Sequence, residues 1–151
     1  MIEIERRFLV ADLPGDLPEP AVVEQAYVTT MPVSVRVRRI DERRILTIKA
    51  GRGLERVEIE RDLDDDEFAV LWNVANELRI AKRRHFVDIG DGHTAELDLF
   101  DGELTGRRLV EVEFDSTEEA ARFVPPPWFG REVTEDPRYT NSSLARFGWP
   151  D

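Results

Sequence analysis

Met1-Ile2-Glu3-Ile4-Glu5-Arg6-Arg7-Phe8 opens the chain, and the reading of the whole fold starts from it. As a strand it alternates with period two, so Glu3, Glu5 and Arg7 share one face while Ile2, Ile4 and Phe8 share the other. Two carboxylates at i and i+2 of a strand project side by side. They are able to share a hard cation such as Mg²⁺ or Mn²⁺, and a cationic group two residues on can hold an anion beside that metal. An edge strand with a solvated charged face has the same local pattern, so the remaining strands must separate the two readings.

The alternation returns along the chain with the sign of the charge sorted strand by strand. Val22 to Thr30 reads as a strand, and Ser34 to Ile40 as another that sets Arg36 and Arg38 against Val35 and Val37. Ile45 to Ala50 opposes Thr47 and Lys49 to Leu46 and Ile48, and Arg56-Val57-Glu58-Ile59-Glu60 repeats the scheme. Ile80 to Val87 puts Lys82 and Arg84 on one face, Ala95 to Phe100 pairs Glu96 with Asp98, and Leu109 to Phe114 pairs Glu111 with Glu113. Turn formers separate these runs at Asp41-Glu42-Arg43-Arg44, Gly51-Arg52-Gly53, Gly90-Asp91-Gly92 and Asp101-Gly102. The acids Asp64 to Glu67, followed by Phe68, Leu71, Trp72, Ala75 and Leu78, predict an amphipathic helix. Ser116-Thr117-Glu118-Glu119 is a capping-box sequence that predicts a short helix ending before Pro125. The tail from Trp128 to Trp149 is rich in turn formers, with Asn141-Ser142-Ser143 read as the cap of a final turn carrying Leu144 and Phe147.

Composition narrows the function. The 151 residues carry 21 Lys and Arg against 32 Asp and Glu, a net charge of −11, which argues against nucleic acid or an anionic membrane as a general partner. An anionic ligand must therefore meet a local basic site. With no cysteine, disulfides, thiolate metal sites and cysteine nucleophiles are excluded. The chain opens on an acidic strand and contains no apolar run of membrane-spanning length, so it is expected to be cytoplasmic. No stretch of linker composition interrupts residues 1–151, which predicts one domain and leaves room for a homodimer.

Four acidic pairs, Glu3/Glu5, Glu58/Glu60, Glu96/Asp98 and Glu111/Glu113, thus stand beside Arg7, Arg36, Arg38, Lys49, Arg56, Lys82 and Arg84. A solvated face of an ordinary sheet intermixes signs; sorting by strand favours a site. Enclosed in a barrel of about eight antiparallel strands, so many charges are prohibitive unless water, metal ions and a polyanion pair with them. A chain of phosphates with a divalent metal is the economical ligand.

These motifs, taken in order with Leu-Thr-Ile-Lys49, Leu-Asp98-Leu-Phe and the tail Trp128-Phe-Gly-Arg-Glu-Val-Thr-Glu-Asp-Pro-Arg-Tyr139-x-Asn141, resemble the CYTH, or triphosphate tunnel metalloenzyme, family from Ile2 to about Leu144. The resemblance implies a mainly β (α+β) fold, a closed eight-stranded antiparallel barrel with helices packed on its apolar outer faces, and metal-dependent hydrolysis of a triphosphate inside it. It implies metal binding at Glu3, Glu5, Glu111 and Glu113, and phosphate binding at Arg7, Arg36, Arg38, Lys49, Lys82 and Arg84, with Arg56 a further member. Glu58, Glu60 and Asp98 match recurrent acids whose roles divide between a second metal or water site and internal salt bridges. Tyr27 matches a tunnel tyrosine, although an aromatic core residue fits its surroundings equally. Catalytic candidates are then Glu58, Glu60, Lys82 and Tyr27, and Asp98 joins the candidate metal ligands. The implied cofactor is Mg²⁺ or Mn²⁺, and the implied partner is tripolyphosphate, thiamine triphosphate or a nucleoside triphosphate. Adenylyl cyclase chemistry on ATP and a polyphosphate-binding module without turnover are the alternatives. One departure stands out: Arg7 occupies the place of the family's Lys, keeping the charge but not the ability to lose a proton near neutrality.

Overall fold

The alternating runs form nine strands in a computed structural model, which describes residues 1–75 and 77–151. They are β1 (Ile2–Val10), β2 (Ala21–Thr29), β3 (Ser34–Ile40), β4 (Arg43–Ala50), β5 (Glu55–Asp62), β6 (Arg79–Asp88), β7 (Thr94–Phe100), β8 (Arg108–Phe114) and β9 (Phe129–Glu132). The order β5-β4-β3-β2-β6-β7-β8-β1 closes on itself through β1–β5, with every neighbour antiparallel, so eight strands make a barrel. Closure leaves the eight strands without a free edge along most of their length.

β1 carries the closure by changing partners. Its first residues pair with β5 at Ile2↔Val57, Glu3↔Arg56 and Ile4↔Glu55, and the Glu5 amide then donates to Leu54 O at 3.1 Å. Beyond that point β1 leaves β5 and pairs with β9 at Phe8↔Glu132 and Val10↔Phe129. The seam is therefore short, and β9, a strand not foreseen in the turn-rich tail, takes over where β5 stops.

Because the inward parity is charged, the apolar core lies outside the barrel. Phe8, Leu97, Val110, Val112 and Phe114 pack beneath α2 (Thr117–Arg122), joined by Ala120 and Phe129. Ala26 and Val37 pack beneath α1 (Asp65–Val74) against Phe68 and Ala75. A third cluster breaks the rule: at one end the inward positions Tyr27, Ile80, Phe100 and Leu109 turn apolar and meet Tyr139 and Leu144. This cluster is a stopper, delivered by α3 (Asn141–Phe147).

The helix boundaries show which local signals hold. Asp64 and Glu67 form the reciprocal cap of α1, the Glu67 amide donating to Asp64 Oδ1 at 2.8 Å and the Asp64 amide to Glu67 Oε1 at 3.0 Å. That helix stops at Val74, short of the apolar stripe that reaches Leu78, because the Leu78 carbonyl accepts from the Tyr27 amide at 2.9 Å and belongs to the barrel. At α2 only half of the capping box forms: Ser116 Oγ accepts from the Glu119 amide, while the Glu119 carboxylate turns to His93 Nε2 at 2.7 Å. His93 also sits edge-on to Phe114 and Phe123, and His85 Nδ1 lies 2.6 Å from the Pro18 carbonyl, so both histidines serve packing. The cap of α3 is Thr140 rather than Asn141. Helical cover is incomplete, leaving Ile2, Val57 and Ile59 exposed along the β1–β5 seam. Among the described residues no helix is long and apolar enough to cross a membrane.

Arg6 sits on the outward parity of β1 and ties three elements together. Its guanidinium donates to the carbonyls of Ala120 and Phe123 at 2.8 and 3.0 Å, and to Glu132 at 2.7 and 2.9 Å. Charge-assisted bonds of this kind contribute about 2 kcal/mol net when partly shielded. Arg6→Ala is expected to lower unfolding stability by about that amount in a urea titration. An unchanged midpoint and slope would mean that the β1–β9 ladder and the phenylalanine cluster hold these elements without it.

Candidate active site

The inward side chains line a cavity of about 210 Å³ along the barrel axis. At roughly 30 Å³ per water molecule it holds several waters or a short polyanion. One end is an exposed rim that includes Arg43, Glu60, Phe86 and Glu113; the other is closed on the β2–β6–β7–β8 side by the stopper. The two strands β6 and β7 place the centre of the charge network. Asp98 Oδ2 accepts from Lys82 Nζ at 2.7 Å, and both its oxygens accept from Arg84 at 2.8 and 2.9 Å. The Lys82 and Asp98 side chains are wholly buried. Such a buried pair persists because further hydrogen bonds support both members, Arg84 on Asp98 and Asn141 on Lys82. Opposed by its burial, Arg84 and Lys82 still hold Asp98 below the usual carboxylate range, and burial together with Arg84 and Arg38 brings Lys82 down to about 7.

From this centre the network runs to both ends. Lys82 Nζ also donates to Asn141 Oδ1 at 2.8 Å, which accepts from Gln25 Nε2 at 3.2 Å. Gln25 in turn donates to the Tyr27 hydroxyl at 3.0 Å and accepts from Arg38 Nε at 2.9 Å. On the other side Arg84 pairs with Glu96 at 2.7 Å, and Arg7 Nη2 bridges Glu5 and Glu111 at 3.0 and 3.4 Å. Lys49 Nζ lies 2.9 Å from Glu3 and 3.4 Å from Glu58.

Two groups of charge remain poorly compensated by these pairs. The first is acidic: one carboxylate oxygen each from Glu3, Glu5 and Glu113 all lie within 4.8 Å of one another. Burial raises Glu3, and burial with Glu111 opposite raises Glu5 well above the normal range, against the pull of Arg7 and Lys49. Burial, Glu96 and Glu3 push Glu113 up to about 7. Three converging, mutually repelling carboxylates are the oxygen donor set that a hard divalent cation relieves.

The second group is basic. Among the described residues the buried side-chain nitrogens left without a hydrogen-bond partner are Nε of Arg7, Arg36 and Arg56, and all three residues line the cavity. Arg36 spends one nitrogen on the Thr47 hydroxyl at 3.3 Å, and burial beside Arg36 and Arg84 draws Arg38 down to about 9. Guanidinium donors converging unpaired in a closed space are matched by phosphate oxygens.

The structure gathers all the sequence-derived candidates except Asp98 on the cavity wall. Glu3, Glu5 and Glu113 form the trio, whereas Glu111 is held by Arg7 and Arg84, which keep it well below the normal range against its burial. Asp98 stands behind Lys82 and Arg84 with both oxygens engaged. Glu58 pairs with Lys49, and Glu60 lies at the exposed rim. The Tyr27 ring packs in the stopper while its hydroxyl accepts from Gln25 Nε2. Sequence reasoning missed Gln25 and Asn141. Gln25 shares the inward parity with Tyr27 and was legible from that alone; Asn141 arrives from a distant helix and carries no period-two signal.

No family model matches the chain. Over 147 residues, 96% of the chain and 97% of the relative, it is 44% identical to an inorganic triphosphatase of Nitrosomonas europaea. An inorganic triphosphatase of Acetivibrio thermocellus is 34% identical over 95% of the chain and 93% of its own length. A crystal structure of an inorganic triphosphatase superposes with a TM-score of 0.69 at 42% identity, covering 94% of this chain and 96% of that one. A putative adenylate cyclase from Bacillus halodurans, at 15% identity with a TM-score of 0.63 over 96% of both chains, shares the fold. With a closed barrel, a charged lumen and relatives that span nearly its full length, the chain belongs to the CYTH, or triphosphate tunnel metalloenzyme, family.

Proposed function

We propose that the barrel hydrolyses inorganic tripolyphosphate with the help of Mg²⁺ or Mn²⁺. The observation that carries this reading is the pairing, in one cavity, of three unpartnered guanidinium nitrogens with three converging carboxylates. Relatives named inorganic triphosphatases at 44% and 34% identity support it. Arg7, Arg36, Arg38 and Arg56 bind and align the phosphate chain, each offering planar N–H donors. Glu3, Glu5 and Glu113 would hold the cation, which would supply charge neutralisation for phosphoryl oxygens. Lys82, held by Asp98 and Asn141 and brought down to about 7 by burial beside Arg84 and Arg38, is a further cation on the cavity wall. Tyr27 and Asn141 are tied to it through the Gln25 bridge, while Glu58 pairs with Lys49 and Glu60 lies at the rim open to water.

Purified protein with tripolyphosphate is expected to release phosphate only with Mg²⁺ or Mn²⁺, and to form little cyclic AMP from ATP. Cyclic AMP as the main product would assign the tunnel to cyclase chemistry, and phosphate release undiminished by chelator would remove the metal. Glu113→Gln should raise the metal concentration for half-maximal rate at least about tenfold, as loss of a supporting metal contact does. Arg36→Gln should raise KM for tripolyphosphate about tenfold or more, the weight of a charge-assisted bond. Metal and substrate dependence both unmoved would place these side chains in solvent.

The buried centre makes a separate, substrate-free prediction. Asp98→Asn keeps the shape but leaves Lys82 and Arg84 without their counter-charge, and removing one member of a buried pair costs about 3–5 kcal/mol. Denaturant unfolding should show a loss of that order. A loss under about 1 kcal/mol would mean that the lumen is wet enough to screen the pair.

A further inference from the structure

The stopper closes only half of the plugged end. Against β2, β6, β7 and β8 the inward positions are apolar, but on the β3–β4–β5 side they stay polar, and the cavity continues there. A window of about 110 Å³ opens where β1 leaves β5, bordered by Arg7, Arg56, Arg52, Thr134 and Glu135. Beside it lies a vestibule of about 530 Å³ between the β4–β5 turn, the β2–β3 loop and α3. Arg56 and Thr140 border all three spaces. The short seam is the cause: β5 pairs with β1 over three residues only, so the wall is missing where β9 has taken over.

The chemistry of the vestibule is one-sided. Its charged lining is Lys49, Arg52, Arg56 and Arg146, with no carboxylate among the described residues, and hydroxyls of Thr140, Ser142 and Ser143 complete it. Among the described residues Arg52, Arg56 and Arg146 enter no ion pair, and Arg56 keeps a buried Nε without an acceptor. Arg52 is mounted between two glycines in the left-handed region, Gly51 at φ 99° and Gly53 at φ 72°, a conformation that L side chains resist. A side chain at position 53 would also strike the Glu135 carboxylate, which accepts from the Leu54 amide at 3.2 Å and latches this turn to the segment after β9. The turn is thereby held with Arg52 over the opening. At the far rim the free charges are Glu60 and Glu113, so the tunnel is polar along its axis, acidic at the mouth and basic at the back.

We propose that this vestibule is a second phosphate subsite, behind the stopper and continuous with the tunnel through Arg56. It rests on the triphosphatase reading, and extends it by giving a phosphoryl group a place to go beyond the three held inside. Two sources share that chemistry: the further phosphoryl groups of a longer linear chain, and orthophosphate released by hydrolysis and repelled by the acidic rim.

The test uses the full chain and the double variant Arg52→Gln/Arg146→Gln, both positions exposed and outside the tunnel. kcat/KM is measured for linear tri-, tetra- and pentaphosphate, together with inhibition of the triphosphate reaction by orthophosphate and calorimetric titration of orthophosphate without substrate. The expected result leaves kcat/KM for triphosphate within about threefold, while losing two guanidinium partners lowers the tetra- and pentaphosphate values relative to it about tenfold if the chain threads through. If the subsite serves the product instead, the orthophosphate inhibition constant rises about tenfold and the chain-length ratios hold. Equal loss on all three substrates, or no change in either quantity, overturns the proposal. Should the wild-type protein hydrolyse no triphosphate, the triphosphatase reading fails by itself, and the titration still decides: one orthophosphate site fewer in the variant sustains the subsite, and an unchanged isotherm removes it.

Discussion

One carboxylate, Asp98, holds Lys82 and Arg84 at the centre of the barrel, and most of the lumen follows from that clamp. Both cations are buried, and without a partner each would carry a desolvation penalty of several kcal/mol. Asp98 is wholly buried against these two cations, and the carboxylates that converge instead are those of Glu3, Glu5 and Glu113. Lys82, pinned by Asp98 and Asn141, cannot swing toward the acids at the rim. The separation of acid from base along the axis is thus fixed by hydrogen bonds whose donors and acceptors are already used.

Eight basic and seven acidic side chains line the cavity, so the lumen is nearly neutral in sum and strongly polar in arrangement. Neutrality keeps the barrel foldable; sorting leaves it hungry for ligands of both signs. The cost appears elsewhere in the fold. A barrel with a charged interior has no inner core beyond the stopper, so most of its apolar burial must come from the outward parity of the strands against the helices and the tail. That requirement explains why Phe8, Phe114, Phe123 and Phe129 cluster outside β1 and β8, with ring centroids 5.0 to 6.4 Å apart, and why Arg6 is retained there to bind the α2 end and β9 to the wall.

Period-two alternation made the strands and the inward set legible, because which face a strand residue takes is a local property. Glu3, Arg36, Lys82 and Glu111 reach the lumen by parity alone. What stayed hidden depends on contacts between distant segments. Nothing near Phe129 to Glu132 announces a strand; that segment becomes one because β1 offers it an unpaired edge once β5 has ended. The helix of residues 65–74 ends where the Leu78 carbonyl is claimed by β2 rather than where its stripe ends. Asn141 reads as a helix cap, yet Thr140 takes that place and frees the Asn141 amide for Lys82 and Gln25. The rank among the acids was also beyond the sequence: Glu96, Asp98 and Glu111 look like Glu3, Glu5 and Glu113 until one sees that Arg84 reaches the first three while the other three converge on one another.

Arg7 ties two acids of the lumen together and keeps one donor unpaired. A single nitrogen, Nη2, bridges Glu5 and Glu111, while Nε of the same planar group is buried without a partner among the described residues. A lysine there would concentrate its charge in one ammonium, which Glu5 and Glu111 would draw to themselves and away from the phosphate. Burial would favour the neutral amine, whereas the arginine stays charged, raised further by the two carboxylates against the cost of its burial. Position 7 is therefore built as a fixed counter-charge and clamp, whereas burial beside Arg84 and Arg38 draws Lys82, the deeply buried amine, down to about 7.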